Sequence, residues 1–357
     1  MKAARLDILM TADAVGGVWT YALDLAAALQ GRGHAVTLAI CGPAPSPDQL
    51  EQAADAGVSI LPDELPLDWL CSDGEAVREG SDKLATLSAG YDLALLNSPA
   101  LAATGGFRVP VIAVAHGEVA TWWDAVGCSG DIDDAFGWLV DLIGTGLKRA
   151  TRIVTPTAAY GELVRRRYEL EASPVAVHNG RVPLDRASSS NEPAFALTVG
   201  RFWDRAKNIG TLDAAASLSF VPIRAVGAST GPHGERAAMA NLEYLGSVAP
   251  ARLGELLAAR PVFASSAVYE PFGLAVLEAA QAGCPLVLAD IATFRELWDG
   301  AATFVDPHDA AGFARAIERP QASGAAARKR AERYTVAAMA DQMLGVIESA
   351  LDHRRAA

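Results

Sequence analysis

Two carboxylates and two cations in this chain have the types and spacing to handle a ligand rich in phosphate and hydroxyl groups. Glu270-Pro271-Phe272-Gly273-Leu274-Ala275-Val276-Leu277-Glu278 sets its glutamates eight positions apart around a Phe-Gly turn. Upstream, Gly200-Arg201-Phe202-Trp203-Asp204-Arg205-Ala206-Lys207-Asn208 carries Arg201 and Lys207, six apart, after an apolar stretch. A planar guanidinium grips two phosphate oxygens, and a flexible ammonium reaches a third. Fixed positive charge of this kind stabilises a departing diphosphate. Pro271-Phe272-Gly273-Leu274 opens a helix predicted over Leu274–Ala282, whose first backbone N–H groups and positive dipole end suit phosphate or hydroxyl oxygens. Glu278 falls about one turn into that helix, placed for a ribose diol, and Glu270 precedes the turn, placed for sugar hydroxyls. An Arg and a Lys in a loop are by themselves ordinary surface charges, and glutamates near a helix start ordinary dipole partners. The four together read as one nucleotide-sugar site.

The elements that must position these residues follow from hydrophobic periodicity. Apolar runs at Leu6–Met10, Ala35–Ile40, Leu93–Leu96, Val111–Ala115 and Arg152–Thr155 read as buried strands. Helical patterns at Trp19–Gln30, Asp48–Ala56, Asp134–Arg149 and Ala158–Glu169 lie between them. Arg186-Ala187-Ser188-Ser189-Ser190-Asn191-Glu192-Pro193 breaks the rhythm and is the best linker candidate. The pattern then restarts with strands at Phe195–Val199, Ile223–Val226, Pro261–Ala264 and Pro285–Ala289. Helices at Ile209–Leu218 and Leu274–Ala282 alternate with them, and a helical tail covers Ala325–Leu351. Such alternation predicts an α/β fold of two Rossmann-like parallel-sheet domains facing a central cleft, with ligand at the carboxyl ends of the strands. The expected domains are 1–187 and 188–335, followed by a C-terminal helix over 336–357.

Composition bounds the rest. A chain of 357 residues, 51% hydrophobic and 20% charged, suits two globular cores. Its net charge of −12 argues against a general binder of nucleic acid or anionic membrane. The absence of an apolar run near 18 residues argues against a spanning helix. The first ten residues read as a first strand rather than a leader, because Asp7 interrupts the apolar stretch. Cys41, Cys71, Cys128 and Cys284 are scattered without a C-x-x-C pair, which favours reduced thiols and a cytoplasmic location over disulfides or a metal site. Asp131-Ile132-Asp133-Asp134 superficially matches a metal-binding D-x-D and reads instead as the acidic first turn of a helix. No glycine loop gives a G-x-G-x-x-G fingerprint after a strand, which argues against a nicotinamide dehydrogenase.

Arg201…Lys207 followed by Glu270-x7-Glu278 resembles the retaining GT-B glycosyltransferases of family GT4 (glycosyl transferases group 1). Gly16-Gly17-Val18-Trp19 through Gly31-Arg32-Gly33-His34-Ala35-Val36-Thr37 is similar to that family's first glycine loop, helix and second strand. His178-Asn179-Gly180 resembles its Asn-Gly turn. Asp290-Ile291, Arg295-Glu296-Leu297 and Val305-Asp306-Pro307 resemble the segment after its last donor-binding strand. The resemblance implies an acceptor-binding first domain, a donor-binding second domain and a C-terminal helix packed back on the first. It assigns Arg201 and Lys207 to the donor pyrophosphate, Glu270 to the donor sugar and Glu278 to the ribose. The backbone of Phe272, Gly273, Leu274 and Ala275 would meet sugar hydroxyls or phosphate. Gly16 and Gly17 would approach the diphosphate, and Gly246-Ser247-Val248 would lie against the base. His116, in Ala115-His116-Gly117-Glu118, matches the family's active-site histidine near the anomeric centre. The implied chemistry is a metal-independent front-face transfer, in which a leaving phosphate oxygen takes the acceptor proton. Two departures stand out: Asn179-Gly180 continues as Arg181-Val182-Pro183 where the family often has Val-Asp, and Ala264-Ser265-Ser266 replaces the usual Pro-Ser.

The acceptor is weakly marked. Trp19, Trp122, Trp123 and Trp138 could stack on a sugar or an apolar acceptor, or simply pack. Arg165-Arg166-Arg167 reads as a solvated helix face, with a phosphorylated acceptor or a peripheral membrane contact as the alternative. UDP- and GDP-sugars are the favoured donors, and the acceptor is a glycan, a lipid-linked glycan or a small metabolite. Two other classes stay open from the sequence: a nucleotide-sugar epimerase, which needs further acid/base residues, and a non-catalytic nucleotide-sugar-binding protein.

Overall fold

Strands buried on both faces need continuous apolar runs, and the runs seen in the sequence form the middle of two wholly parallel sheets. The computed structural model describes residues 5–127, 132–184, 194–232 and 234–356. The linker candidate 186–193, the expected domain border at 187/188 and Asp131 lie outside them. The chain divides into two compact units.

The first unit comprises Met1–Trp123, Cys128–Gly180 and Val336–Ala357. In chain order its elements are β1 (Asp7–Asp13), α1 (Gly17–Gln30), β2 (Ala35–Cys41), α2 (Pro47–Asp55), β3 (Ser59–Ile60), α3 (Gly74–Ser88), β4 (Leu93–Leu96), β5 (Val111–Val114), α4 (Val119–Val126), α5 (Ile132–Arg149), β6 (Arg152–Thr155), α6 (Ala158–Arg167) and β7 (Val175–Ala176). The sheet runs β3-β2-β1-β4-β5-β6-β7. β1 is flanked by β2, with Ile8 opposite Val36, and by β4, with Ile8 opposite Leu93. The strand order therefore reverses between β1 and β4, which opens a crevice at their carboxyl ends.

The second unit comprises Asp124–Gly127 and Arg181–Thr335. It contains β8 (Ala196–Val199), α7 (Ile209–Ala216), β9 (Ile223–Val226), β10 (Glu243–Gly246), α8 (Pro250–Ala258), β11 (Val262–Ser265), α9 (Leu274–Ala282), β12 (Leu286–Ala289), α10 (Ala292–Trp298), β13 (Thr303–Val305), α11 (Ala310–Glu318) and α12 (Gly324–Ala331). Its sheet runs β10-β9-β8-β11-β12-β13, reversing between β8 and β11.

The tail is not one helix over Ala325–Leu351. It breaks after α12, and a last helix, α13 (Val336–Ala356), begins anew. The break lets each half serve a different core. Tyr334, 5% exposed, wedges its ring against Phe272 and Trp298 in the second unit and donates its hydroxyl to the Leu297 carbonyl at 2.9 Å. Met339, Ala340, Met343 and Ile347 of α13 are buried in the first unit's core with Leu25 and Leu29 of α1. Arg32 clamps the outer edge of that contact by donating to Asp341 and to the Ala337 carbonyl. Among the described residues no helix is long and apolar enough to cross a membrane, and Cys41, Cys71 and Cys284 are free thiols.

Candidate active site

In the second unit the candidate residues gather at the carboxyl ends of the strands. β8 delivers the Gly200–Asn208 loop, whose 3-10 turn Arg205–Lys207 is capped by Asp204 accepting from the Ala206 N–H at 2.9 Å. Asn208 closes the turn with a left-handed backbone, φ 50°. Its side-chain amide donates to the Ser266 carbonyl at 3.0 Å and to the Pro307 carbonyl at 2.7 Å, while Ser266 Oγ donates to the Asn208 carbonyl at 2.8 Å. These bonds tie the loop after β8 to the ends of β11 and β13. The result is a fixed position for Lys207, whose Nζ meets Glu270 Oε2 at 2.5 Å, both side chains about one-fifth exposed.

Glu270 is held in turn by Thr293, which donates to the Glu270 carbonyl at 2.7 Å. The chain then enters α9 through Gly273, at φ 88°. A Cβ there would sit 3.2 Å from both Phe294 and Val276, so strain and crowding both favour glycine. Among the described residues no side chain caps this end of α9, so the N–H groups of its first turn, including Leu274 and Ala275, are not taken by a cap. The Phe272 side chain is core, 3% exposed and packed edge-on against Tyr334. Glu278, one turn in, accepts from Arg181 Nε at 2.9 Å, the two side chains 13% and 19% exposed. Arg201 is not drawn into this cluster. It is half exposed, 3.9 Å from Asp204, with its guanidinium 5.5 Å from the Trp203 ring centroid. Ser247 is exposed after β10, and Val248 packs partly on the core.

The first unit carries a second constellation. Asp13, at the end of β1, accepts from the N–H groups of Val15 and Gly16 at 3.0 and 3.1 Å and so shapes the glycine loop. Gly16 is the N-cap of α1 in extended backbone, a conformation open to any residue, and among the described residues no side chain caps that end of the helix. His116 follows β5. Its Nε2 lies 2.8 Å from Asn97 Oδ1, and its ring stands edge-on to Tyr21 at 4.6 Å. Burial disfavours the imidazolium and pushes its pKa down to about 4. Two positions on, Glu118 is only 6% exposed, and its carboxyl accepts no hydrogen bond among the described residues. Burial, helped by the nearby Asp68 charge, pushes its pKa up to about 8. Asp68, buried between Ser98 and the Trp69 N–H, is raised as well, chiefly by burial.

Several expected residues have other work. Trp19 is core, 4% exposed, donating Nε1 to Gln52. Trp123 packs edge-on against Phe136, and Trp138 lies against Gly74. Arg165 and Arg166 both bond Glu162, whose carboxyl their hydrogen bonds hold down to about 2. The residues that sequence reasoning missed are Asn97, Thr11, Glu118 and Arg181. The one available signal was polar Asn97-Ser98 directly after the apolar run of β4, at the strand end where ligands bind.

Comparison with known proteins adds an independent line. Residues 15–186 match the family model for Glycosyltransferase Family 4, and residues 194–320 match that for Glycosyl transferases group 1. Glycogen synthase of Mycobacterium tuberculosis is 25% identical over 365 residues, covering 89% of this chain and 85% of its own. Sucrose-phosphate synthase from Thermosynechococcus elongatus superposes with a TM-score of 0.74 at 19% identity, covering 96% of this chain and 98% of its own. The Anabaena protein HepE gives 0.71 at 17% identity, covering 97% and 100%. Family models across both units, the glycogen synthase likeness and two parallel α/β sheets in the GT-B arrangement of strands make the chain a member of the GT4-type glycosyltransferases.

Proposed function

We propose that this glycosyltransferase moves a sugar from a nucleotide-diphosphate donor to a hydroxyl acceptor, in the cytoplasm, with retention of anomeric configuration and without a metal ion. The observation that carries the reading is the Lys207–Glu270 contact beside the uncapped start of α9. A diphosphate needs positive charge and open N–H groups, and a sugar needs a carboxylate among its hydroxyls. All three are supplied within one loop-and-helix junction.

In this mechanism the donor diphosphate displaces part of the Lys207–Glu270 contact. Lys207 Nζ turns to a phosphate oxygen while Glu270 accepts from sugar hydroxyls. Arg201, half exposed and held only loosely by Asp204, swings to a second phosphate oxygen. The first-turn N–H groups of α9 complete the cradle. Glu278 accepts from the ribose diol while keeping Arg181. Ser247 and Val248 border the base, Gly16 and Gly17 approach the diphosphate, and neutral His116 meets a sugar hydroxyl. As the bond from the anomeric carbon to the phosphate oxygen breaks, charge grows on the diphosphate, where Lys207, Arg201 and the helix end stabilise it. The acceptor oxygen attacks from the same face, and its proton passes to the leaving phosphate oxygen. The protein supplies position and charge.

UDP-sugars come first among candidate donors, since the HepE structure was determined with UDP and glucose; GDP-sugars follow. Calorimetric titration with UDP, GDP and ADP, with and without EDTA, is the test. One diphosphate binding equally in both conditions, with loss of binding in Lys207→Ala, is the expected result. No binding by any diphosphate would overturn the donor assignment, and EDTA-sensitive binding would overturn the metal-independent mechanism.

A further inference from the structure

We infer that Asn97, anchored on Thr11, is a positioning residue that decides which ring nitrogen of His116 carries the proton, leaving Nδ1 as a hydrogen-bond acceptor. Which ring nitrogen carries the hydrogen follows from which neighbouring atoms can donate. Asn97 Nδ2 lies 2.5 Å from the Thr11 carbonyl oxygen. A carbonyl only accepts, so this contact fixes which end of the amide faces it. The other end, Oδ1, therefore faces His116 Nε2 at 2.8 Å. An amide oxygen also only accepts, so Nε2 must carry the hydrogen. In a neutral imidazole the remaining nitrogen, Nδ1, then holds a lone pair.

The anchor is rigid. The Asn97 backbone N–H donates to Thr11 Oγ1 at 2.7 Å, so main chain and side chain of Asn97 are both pinned to β1. Thr11 is 1% exposed. Tyr21, from α1, sets its ring against the imidazole at an interplanar angle of 72° and blocks rotation of the histidine. Burial keeps the ring neutral, so only one of its two nitrogens carries a hydrogen. Nδ1 has no partner among the described residues. Thr11, Asn97 and His116 come from the carboxyl ends of β1, β4 and β5, and the first two strands flank the crevice where the strand order reverses.

A ring that presents only a lone pair selects its neighbour. It accepts from a hydroxyl and repels a carboxylate or phosphate oxygen. Under the proposed transferase reading, on which this step alone rests, the group meeting His116 is a sugar hydroxyl. A donor with a carboxylate or no oxygen at that position is then disfavoured.

The test separates the relay from the reading. Histidine labelled with ¹⁵N reports the protonation of each ring nitrogen in the full-length protein at pH 7, with His116→Gln identifying the resonances. The wild-type ring should be the Nε2–H form. In Asn97→Leu the ratio of Nε2–H to Nδ1–H should fall roughly fivefold or more, as expected for losing one net hydrogen bond. Asn97→Ala, which removes the acceptor without adding bulk, should give the same fall; it serves if the Leu variant does not fold. Turnover of the donor found by titration should drop about ten- to a hundredfold in Asn97→Leu. An Nδ1–H ring in the wild type, or an unchanged ratio in folded Asn97→Leu, overturns the inference. Should the tautomers behave as stated while His116→Gln turns over normally, the relay stands and the catalytic placement of His116 falls.

Discussion

Replacing Glu118 by glutamine should remove a pH-dependent burden on the first unit. Glu118 is almost wholly buried, its carboxyl accepts no hydrogen bond among the described residues, and its pKa is pushed up to about 8 by burial and then by Asp68. In the unfolded chain the same carboxyl ionises at its usual value near 4.5. Between these two values the folded protein keeps a proton that the unfolded chain has lost. Stability is therefore greatest below about pH 4.5 and falls as pH rises, levelling above about pH 8. At about 1.4 kcal/mol per pH unit, the cost reaches on the order of 3 kcal/mol at pH 7, against under about 1 kcal/mol at pH 5. Glutamine has the shape of the protonated acid and does not titrate. Relative to wild type, Glu118→Gln should gain on the order of 2 kcal/mol between pH 5 and pH 7. Urea unfolding followed by tryptophan fluorescence reads this unit well, since Trp19, Trp69, Trp122, Trp123 and Trp138 belong to it and only Trp203 and Trp298 do not. Parallel stability curves for the two proteins across pH 5–9 would refute the reasoning, because they would mean the carboxyl ionises equally in both states.

Four further outcomes are expected. Lys207→Ala should cut turnover roughly a hundredfold or more; near-normal steady-state rates would remove the diphosphate role. Gly273→Ala should destabilise the second unit by about 1–2 kcal/mol, from left-handed backbone and contact with Phe294 and Val276, and a thermal melt unaltered by it would count against that strain. Tyr21→Phe deletes a buried hydroxyl with no hydrogen-bond partner among the described residues and should raise stability by about 1 kcal/mol, read by denaturant midpoint; a loss of stability would show that the hydroxyl is satisfied in solution. Met343→Ala, at a fully buried position of α13, should destabilise the first unit by about 2–4 kcal/mol in urea unfolding, and a cost below about 1 kcal/mol would mean α13 is not integral to that core.

Legibility in the sequence followed burial. β4, β5 and β12 are buried along their whole lengths, so their apolar runs announced them. α3 was invisible because its buried face includes Gly74, Gly80, Ser81 and Ser88. Close packing selects small residues there: a Cβ on Gly80 would strike Pro66, and Ser81 donates to the Leu101 carbonyl at 2.6 Å. β10 was missed for the opposite reason, since it is a largely exposed edge strand without an apolar face. In the site, residue types and spacing brought out Lys207, Glu270 and Glu278, which depend on local order along the chain. The partners that hold them did not show. Asn208 bonds Ser266 and Pro307, and Asn97 bonds Thr11 across 86 positions. Such pairings arise only when parallel strands bring their ends to one edge. Arg181 stood in the sequence as a departure at a turn; its meaning as the Glu278 partner needed the fold.

The return of α13 to the first unit has a consequence for synthesis on the ribosome. Everything from Arg181 to Thr335 is translated between α6 and the helix that finishes the first core. At bacterial and eukaryotic elongation rates that is a delay on the order of ten to thirty seconds. During it the second unit has all its own strands and can fold, while the apolar stripe of α1 that awaits Met339 and Met343 stays uncovered. The unit begun first is thus completed last. The interval in which a chaperone has most to offer the first unit therefore lasts until the whole of the second unit has been made.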